Sequence, residues 1–470
     1  MATKYLSPSG NDANPGTYAS PFRTGTAAVA ACSAGDTLIA AEGVYPDAFE
    51  IDKALTIRCE DDGRAIFDGS VALGGTWVQH SGDVWKQTGA SDPASLIFET
   101  AAGVYVKGFR MDALAEVTGW THFYFDSGAT TLYAYLPGGP TAFRTIKKVG
   151  TGGIAGAHAS TGGIYVSASN VSLDRLEVVG WRYSGLLADD CADLVQTRSR
   201  FAMNGEDGTG GFAIVRFTLD DCECEENGTR RPRAAGEIST DGDGASLHAN
   251  PSTLAQSTDF LIRRSRFRNN YKDGVQNINA STGIVEQCLF DGDTFGVIVN
   301  ASAEQILRNN VFRMGSLSLN AIGVGDFGGV PGCVARIVGN TVVGSDVALQ
   351  AAILQLNGTA TVVGNIFTGW ALDAAVVGGT FTPTYNRWNV GTRLVAAGTG
   401  ESNGDPQLRG SREQPYILVS SPCAGVSGVA AAFATYGVTH DYRGSPRGAA
   451  PSLGACEPGL APSAFRRARR

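Results

Sequence analysis

Three segments between residues 240 and 303 are built alike, and this repetition constrains the fold more than any other feature of the chain. They read Asp241-Gly242-Asp243-Gly244-Ala245-Ser246-Leu247-His248, Tyr271-Lys272-Asp273-Gly274-Val275-Gln276-Asn277-Ile278 and Asp293-Thr294-Phe295-Gly296-Val297-Ile298-Val299-Asn300. Each is a polar turn, a glycine and a short alternating strand. A second pattern follows: Arg263-Arg264-Ser265-Arg266-Phe267, Glu286-Gln287-Cys288-Leu289-Phe290 and Arg308-Asn309-Asn310-Val311-Phe312. Its third residue is small or polar and its fifth is aromatic. Ser199 to Cys222 and Ser265 to Cys288 are steps of 23 residues, Cys288 to Asn310 is 22, and Asn340 to Asn365 is 25. A period in the low twenties that carries strands is the signature of a solenoid. Leucine-rich repeats share the period but need regular leucines and a helical segment, and neither is present. Glycine- and asparagine-punctuated strands point instead to an all-β fold, a right-handed parallel β-helix with one rung per repeat. Ser199, Cys222, Ser265, Cys288, Asn310, Asn340 and Asn365 should then line one longitudinal row, where polar side chains can form hydrogen-bonded ladders.

A solenoid can run to 470 residues as one body. The 62 glycines and 17 % charged residues suit a turn-rich β protein. The net charge of −8 argues for solubility and against nucleic acid as a partner. The nine cysteines form no CxxC pair, so neither a disulfide framework nor a zinc site is expected. The sequence begins Met1-Ala2-Thr3-Lys4-Tyr5 without an apolar signal region, and no long apolar run follows, so no membrane span is expected. The matching location is extracellular or virion-borne if the sequence is trimmed or phage-derived, and otherwise cytoplasmic.

Four regions follow from the pattern. Residues 1–73 form an N-terminal cap and first rungs, with helix-compatible composition over 23–33. Residues 74–150 interrupt the repeat with a β insertion in which Trp77, Trp85, Trp120, Phe123, Tyr124, Phe125, Tyr133 and Tyr135 concentrate. Within it, residues 121–126 and 131–136 alternate as two strands across Ser127-Gly128-Ala129. Its aromatics can be core or a platform for sugars. Residues 151–370 carry the rungs, and 371–470 form an irregular capping segment with a basic tail.

The ends of the chain add a resemblance. Tyr5-Leu6-Ser7-Pro8-Ser9-Gly10-Asn11-Asp12, Pro15-Gly16-Thr17, Gly35-Asp36-Thr37 and Gly43-Val44-Tyr45 resemble the start of β-helix proteins of the pectate-lyase-like superfamily. Asp405-Pro406-Gln407-Leu408 and His440-Asp441-Tyr442-Arg443-Gly444 resemble their closing segment.

Alignment on Gly244, Gly274 and Gly296 sends Ala245, Leu247, Val275, Asn277, Val297 and Val299 inward. It leaves Ser246, His248, Gln276, Ile278, Ile298 and Asn300 outward. Asp243 and Asp273, each just before its glycine, should stack on adjacent rungs, with Asp241 and Asp293 flanking them. Lys272 and His248 lie close by. Such a group can be turn chemistry, a hard-cation site for Ca²⁺, or an acid and base for a glycosidic bond. The stretch is similar to the calcium-binding region of family 9 polysaccharide lyases. There an Asp-Gly-Phe segment is followed one rung later by Asn-Asn-x-Asp-Asp-Gly-x-Asp. Asp243-Gly244-Ala245 and Asn269-Asn270-Tyr271-Lys272-Asp273-Gly274-Val275-Gln276 occupy those places. Lys272 and Gln276 replace two of the family's aspartates, so the resemblance carries over only Asp243 and Asp273 as ligands. No lysine follows Lys272 to serve as that family's base, and the guanidinium of Arg308 or Arg313 resists deprotonation. Lys272 can itself be the base of an elimination, with Arg308 on the uronate carboxylate, or a solvated partner of Asp273.

Arg198, Arg200, Arg264, Arg266 and Arg268 form an outward stripe that suits an anionic glycan or a solvated face. The candidate catalytic residues are therefore Asp243, Asp273, Lys272 and His248. The candidate substrate contacts are Arg264, Arg266, Arg308, Gln276 and Asn300, and the candidate calcium ligands are Asp241, Asp243, Asp273 and Asp293. The expected function is binding and cleavage of an extended polysaccharide by a lyase or glycosidase. The alternative is a phage tail spike that binds host glycan, in that case as a homotrimer.

Overall fold

The computed structural model describes residues 1–456 except 94, 151–152, 157–160, 230–241, 279–281, 301–303, 316–317, 326–332, 345–350, 412–413 and 418–419. The chain winds into the expected parallel β-helix. One face of the coil is a twelve-stranded parallel sheet running from Thr3–Leu6 and Thr37–Ala40 to Thr359–Val363 and Thr380–Thr384. A second face stacks short strands such as Glu223–Glu225, Arg266–Arg268, Leu289–Asp291 and Val311–Arg313. The third stacks Ser184–Asp189, Thr209–Phe212, Ala245–His248, Asp273–Ile278 and Phe295–Asn300. Rungs continue past residue 370, through Arg387–Thr392 and Ser402–Asn403.

The interior is a single apolar column, because alternate residues of each strand point inward on all three faces. Ala245, Leu247, Val275, Val297 and Val299 are fully buried within it, as the glycine alignment requires. The aromatic positions stack along the axis. Phe267 and Phe290 have centroids 4.9 Å apart, Phe290 and Phe312 4.7 Å, each pair within 9° of parallel.

The corners explain the recurrent polar position. Arg198, Asp221, Arg264, Gln287, Asn309, Gly339, Gly364 and Tyr385 all have φ between 50° and 67°, the left-handed bend that ends each strand of the first face. The next residue on each rung is the ladder residue. Cys222 N–H donates to Ser265 Oγ (3.1 Å), Cys288 N–H to Asn310 Oδ1 (2.9 Å), Asn310 N–H to Asn340 Oδ1 (2.9 Å) and Asn340 N–H to Asn365 Oδ1 (2.7 Å). These contacts satisfy corner amides that the sheets leave unpaired. Asn386 and then Glu401 complete the row.

At the N-terminal end, the helix Gly25–Ala30 buries Ala28 and Val29. Gly25 lies so close to Phe49 that a Cβ there would come within 2.4 Å of its ring. The C-terminal segment runs back along the flank of the coil. Phe433, on the helix Ala430–Thr435, packs with Val338, Val363 and Ile366, and Tyr442 packs with Leu289 and Val311. The insertion folds as two sheets around Leu96, Phe98, Phe123, Leu132, Ala134 and Ile146. Trp77 and Trp85 pack against that core, whereas Trp120 is 46 % exposed. All nine cysteines are buried. Among the described residues, no helix is long and apolar enough to cross a membrane.

Candidate functional site

The third face sets the geometry of the site. Its register places Leu186, Thr209, Ala245, Val275 and Val297 on one row. Two residues before three of these stand Asp207, Asp243 and Asp273, a column of carboxylates on successive rungs. Asp243 N–H donates to Asp207 Oδ1 (3.0 Å), and Asp273 N–H donates to Asp243 Oδ1 (3.1 Å). Asp243 and Asp273 are buried, and Asp207 is half-buried. The Lys272 ammonium lies 3.8 Å from Asp243 Oδ2, and Gln276 Nε2 donates to Asp273 Oδ2 (3.0 Å). On the next rung Phe295 takes the aspartate's place and ends the column.

Burial holds the Asp243 carboxyl well above the usual carboxylate range. Lys272 pulls against that shift, and Asp273 and Asp207 push with it. The protonated form of Asp243 is thereby favoured, at the entry to the strand Ala245–His248. His248 is half-buried beside Phe212, with ring centroids 5.3 Å apart, and its Nε2 is hydrogen-bonded to the Ser246 hydroxyl. Burial first, and then Lys272, push its pKa down to about 4, so its imidazole is neutral near pH 7.

The structure thus brings Asp243, Asp273, Lys272, His248 and Gln276 together. Asp293 stands elsewhere. It ends a second interior ladder in which Asn204, Asn227 and Asn270 each donate to the next rung, and its Oδ1 accepts both the N–H (2.8 Å) and the Nδ2 (3.0 Å) of Asn270. Asn270 lies four residues before Gly274, but Asp293 lies only three before Gly296. Alignment on the glycines therefore shifts Asp293 out of its true row. Asp241 lies outside the described residues, and Asn300 is fully buried.

The arginines do not converge on the aspartates. Arg264 and Arg263 both pair with Asp220, Arg266 with Glu223 (3.8 Å) and Arg268 with Glu225 (3.7 Å). Arg198 pairs with Asp174 (2.5 Å), and Arg200 with Glu177 and Glu225. Arg308 pairs with Glu286 (2.7 Å) and donates to the Tyr436 carbonyl (2.6 Å) under the C-terminal segment. These pairs join rung to rung and leave the stripe electrically satisfied.

Among the described residues, which leave out Asp241, no three His, Cys, Asp or Glu side chains group as metal ligands. Asp293 is committed to its ladder, and Lys272 already supplies a cation to Asp243.

Asp207 was not among the residues singled out by sequence. Its signal was present, because Asp207-Gly208 repeats the Asp-Gly step of Asp243-Gly244 and Asp273-Gly274 one rung earlier.

Comparison with known proteins agrees on the fold. A family model described as right handed beta helix region matches residues 162–312. A model for a family of unknown function, DUF1565, matches residues 8–59. No curated protein matches. The complex of XylC with xylose is 12 % identical, with a TM-score of 0.59 over 97 % of this chain and 99 % of that one. Pectate lyase Pel9A is 14 % identical, with a TM-score of 0.51 over 98 % and 97 %. At these identities the likeness is one of fold, and the fold is the right-handed parallel β-helix.

Proposed function

We propose that this protein binds an extended polysaccharide along the third face of the coil and cleaves it at the Asp207–Asp243–Asp273 column. The observation that carries the reading is the column itself, three carboxylates on successive rungs with Lys272 and His248 beside them. Adjacent rungs lie about 4.8 Å apart, close to the ~5–5.5 Å carboxyl spacing of retaining glycosidases. Asp243, whose carboxyl burial raises above the usual range, is suited to protonate a leaving oxygen, and a neighbouring carboxylate of the column to stabilise or attack the sugar carbon. As an ammonium Lys272 balances the charge of the column, and only as the free amine would it take the proton next to a uronate carboxyl, the first step of an elimination. Both XylC and Pel9A are named for carbohydrate ligands or substrates, which favours a glycan as the ligand of this coil.

The test is a panel of neutral and uronate polysaccharides, read for reducing ends and for the ultraviolet absorbance of unsaturated products. Reducing ends without that absorbance mean hydrolysis, and both together mean elimination. Asp243→Asn and Asp273→Asn should each lower turnover by about 10²–10⁴-fold with the melting transition retained. An active enzyme indifferent to both substitutions, or a protein that neither binds nor cleaves any glycan of the panel, refutes the reading.

A further inference from the structure

The insertion presents a surface that the acid column does not use. Its five-stranded sheet comprises Val78–Ser81, Val84–Thr88, Thr131–Tyr135, His122–Asp126 and Phe109–Arg110. One face is core, with Phe123, Leu132 and Ala134 fully buried. Strand alternation sends Tyr124 and Tyr133 to the opposite face, where they are direct cross-strand partners and Lys86 continues the row. Their ring planes lie within 26° of each other with centroids 6.2 Å apart, and His80 meets Tyr133 edge-on at 5.2 Å. His80 also lines a cavity of about 650 Å³ with Asp83, Leu114, Val117, Thr118 and Tyr135. The Tyr135 hydroxyl donates to Asp83 Oδ2 (3.3 Å).

A row of aromatics leading into a pocket with apolar walls and one carboxylate matches the mixed apolar and hydroxylated surface of a sugar ring. Pyranose C–H groups pack on aromatic rings, and the hydroxyl rim needs acceptors such as a carboxylate. Asp83 is the charged residue in the pocket lining, and its carboxylate accepts from hydroxyls but repels a uronate. The charge therefore favours a neutral glycan, and Lys86 adds a donor beside the rings. The insertion is also tied to the coil. The Lys107 ammonium is buried and donates to the carbonyls of Asn204 (2.6 Å) and Glu226 (2.8 Å). Ile97 and Val149 pack on Ala202 and Met203. Asn204 lies three residues before Asp207, so the insertion is anchored, through its four-stranded sheet, next to the start of the acid column.

We propose that the Tyr124–Tyr133 face, with the His80–Asp83–Tyr135 pocket, is a second carbohydrate site that takes a neutral polysaccharide and holds it to the protein independently of cleavage. The proposal rests on the glycan reading above for its ligand class and on the insertion alone for its residues. The test is native affinity electrophoresis of the full chain through gels containing soluble xylan, mixed-linkage β-glucan, galactomannan or polygalacturonate. At least one neutral polysaccharide should retard the wild-type protein. The Tyr124→Ala/Tyr133→Ala variant and, separately, Asp83→Ala should bind that polysaccharide about tenfold more weakly, with circular dichroism unchanged. Retardation by no neutral polysaccharide, or undiminished retardation of both insertion variants, overturns the proposal. Retardation lost in Asp273→Asn but kept in the insertion variants also overturns it, and leaves the acid-column reading standing. Retardation through the tyrosines in a protein that cleaves nothing supports this site while the cleavage reading fails.

Discussion

Replacing Asp293 by asparagine should stabilise the protein, and the gain should grow with pH. Asp293 is fully buried at the end of the Asn204–Asn227–Asn270 ladder. Its Oδ1 accepts two N–H groups, and its Oδ2 has no hydrogen-bond partner among the described residues. Burial holds its pKa well above the ordinary 3.8, with the Asn270 hydrogen bonds opposing and Asp291 and Asp273 adding to the rise. In the window between 3.8 and the raised native value, the folded chain keeps a proton that the unfolded chain has lost. Stability therefore falls as pH rises through that window, by about 1.4 kcal/mol per pH unit from this one group. Below the window the contribution is fully present. Asparagine has no proton to lose, so the slope disappears.

The amide also gains a role its ladder neighbours already show. The Nδ2 groups of Asn204, Asn227 and Asn270 each donate to a carbonyl as well, those of Val178, Phe201 and Cys224. The corresponding acceptor for residue 293 is Phe267, and such a bond adds about 1 kcal/mol. Denaturation midpoints of wild type and Asp293→Asn, followed from about pH 4 to about pH 8, give the difference directly, and the other titrating groups cancel. A difference independent of pH, or an Asp293→Asn protein less stable than wild type at neutral pH, refutes the argument.

Phe290→Ala opens the stack between Phe267 and Phe312 and should cost about 3–5 kcal/mol; an unchanged melting temperature would show that the stack does not bear on stability. Melting curves recorded in calcium and in chelator should coincide, because an Asp243 carboxyl of raised pKa beside the Lys272 ammonium disfavours a bound cation. A transition raised by calcium through mass action would place a cation among these carboxylates and refute that reasoning.

The coil was legible because its interior repeats. The small or polar residue of each quintet is the ladder residue, and the aromatic two positions later is the axial stack. The corner residue before each ladder position was not legible. Arg198, Asp221, Arg264, Gln287 and Asn309 share a positive φ but no chemistry, so no residue type announces the bend. The arginine stripe was recognisable as outward, but its pairing was not. The partners lie one rung away, 24 residues for Arg198 and Asp174 and 44 for Arg264 and Asp220. Local sequence spacing does not register such neighbours.

The acids separate by the direction in which hydrogen bonds run along the coil. In the two interior ladders each asparagine donates toward the C-terminal end, so the last member needs only to accept. A carboxylate fits that place, and both ladders end in one, Asp293 and Glu401. Glu401 also receives Arg393 (2.6 Å) and Trp388 Nε1 (2.9 Å). Asp293 has no hydrogen bond from a cation among the described residues, and burial shifts its carboxyl toward the protonated form. In the Asp207–Asp243–Asp273 column the bonds run the other way. Asp207 and Asp243 each accept the backbone N–H of the aspartate on the following rung, so these two hold the turn as well as any chemistry at its edge. Alanine at these positions removes both roles together. Asparagine keeps the acceptor for the next N–H and removes only the ionisable proton, so turnover lost in Asp243→Asn with the fold intact reports on the acid itself.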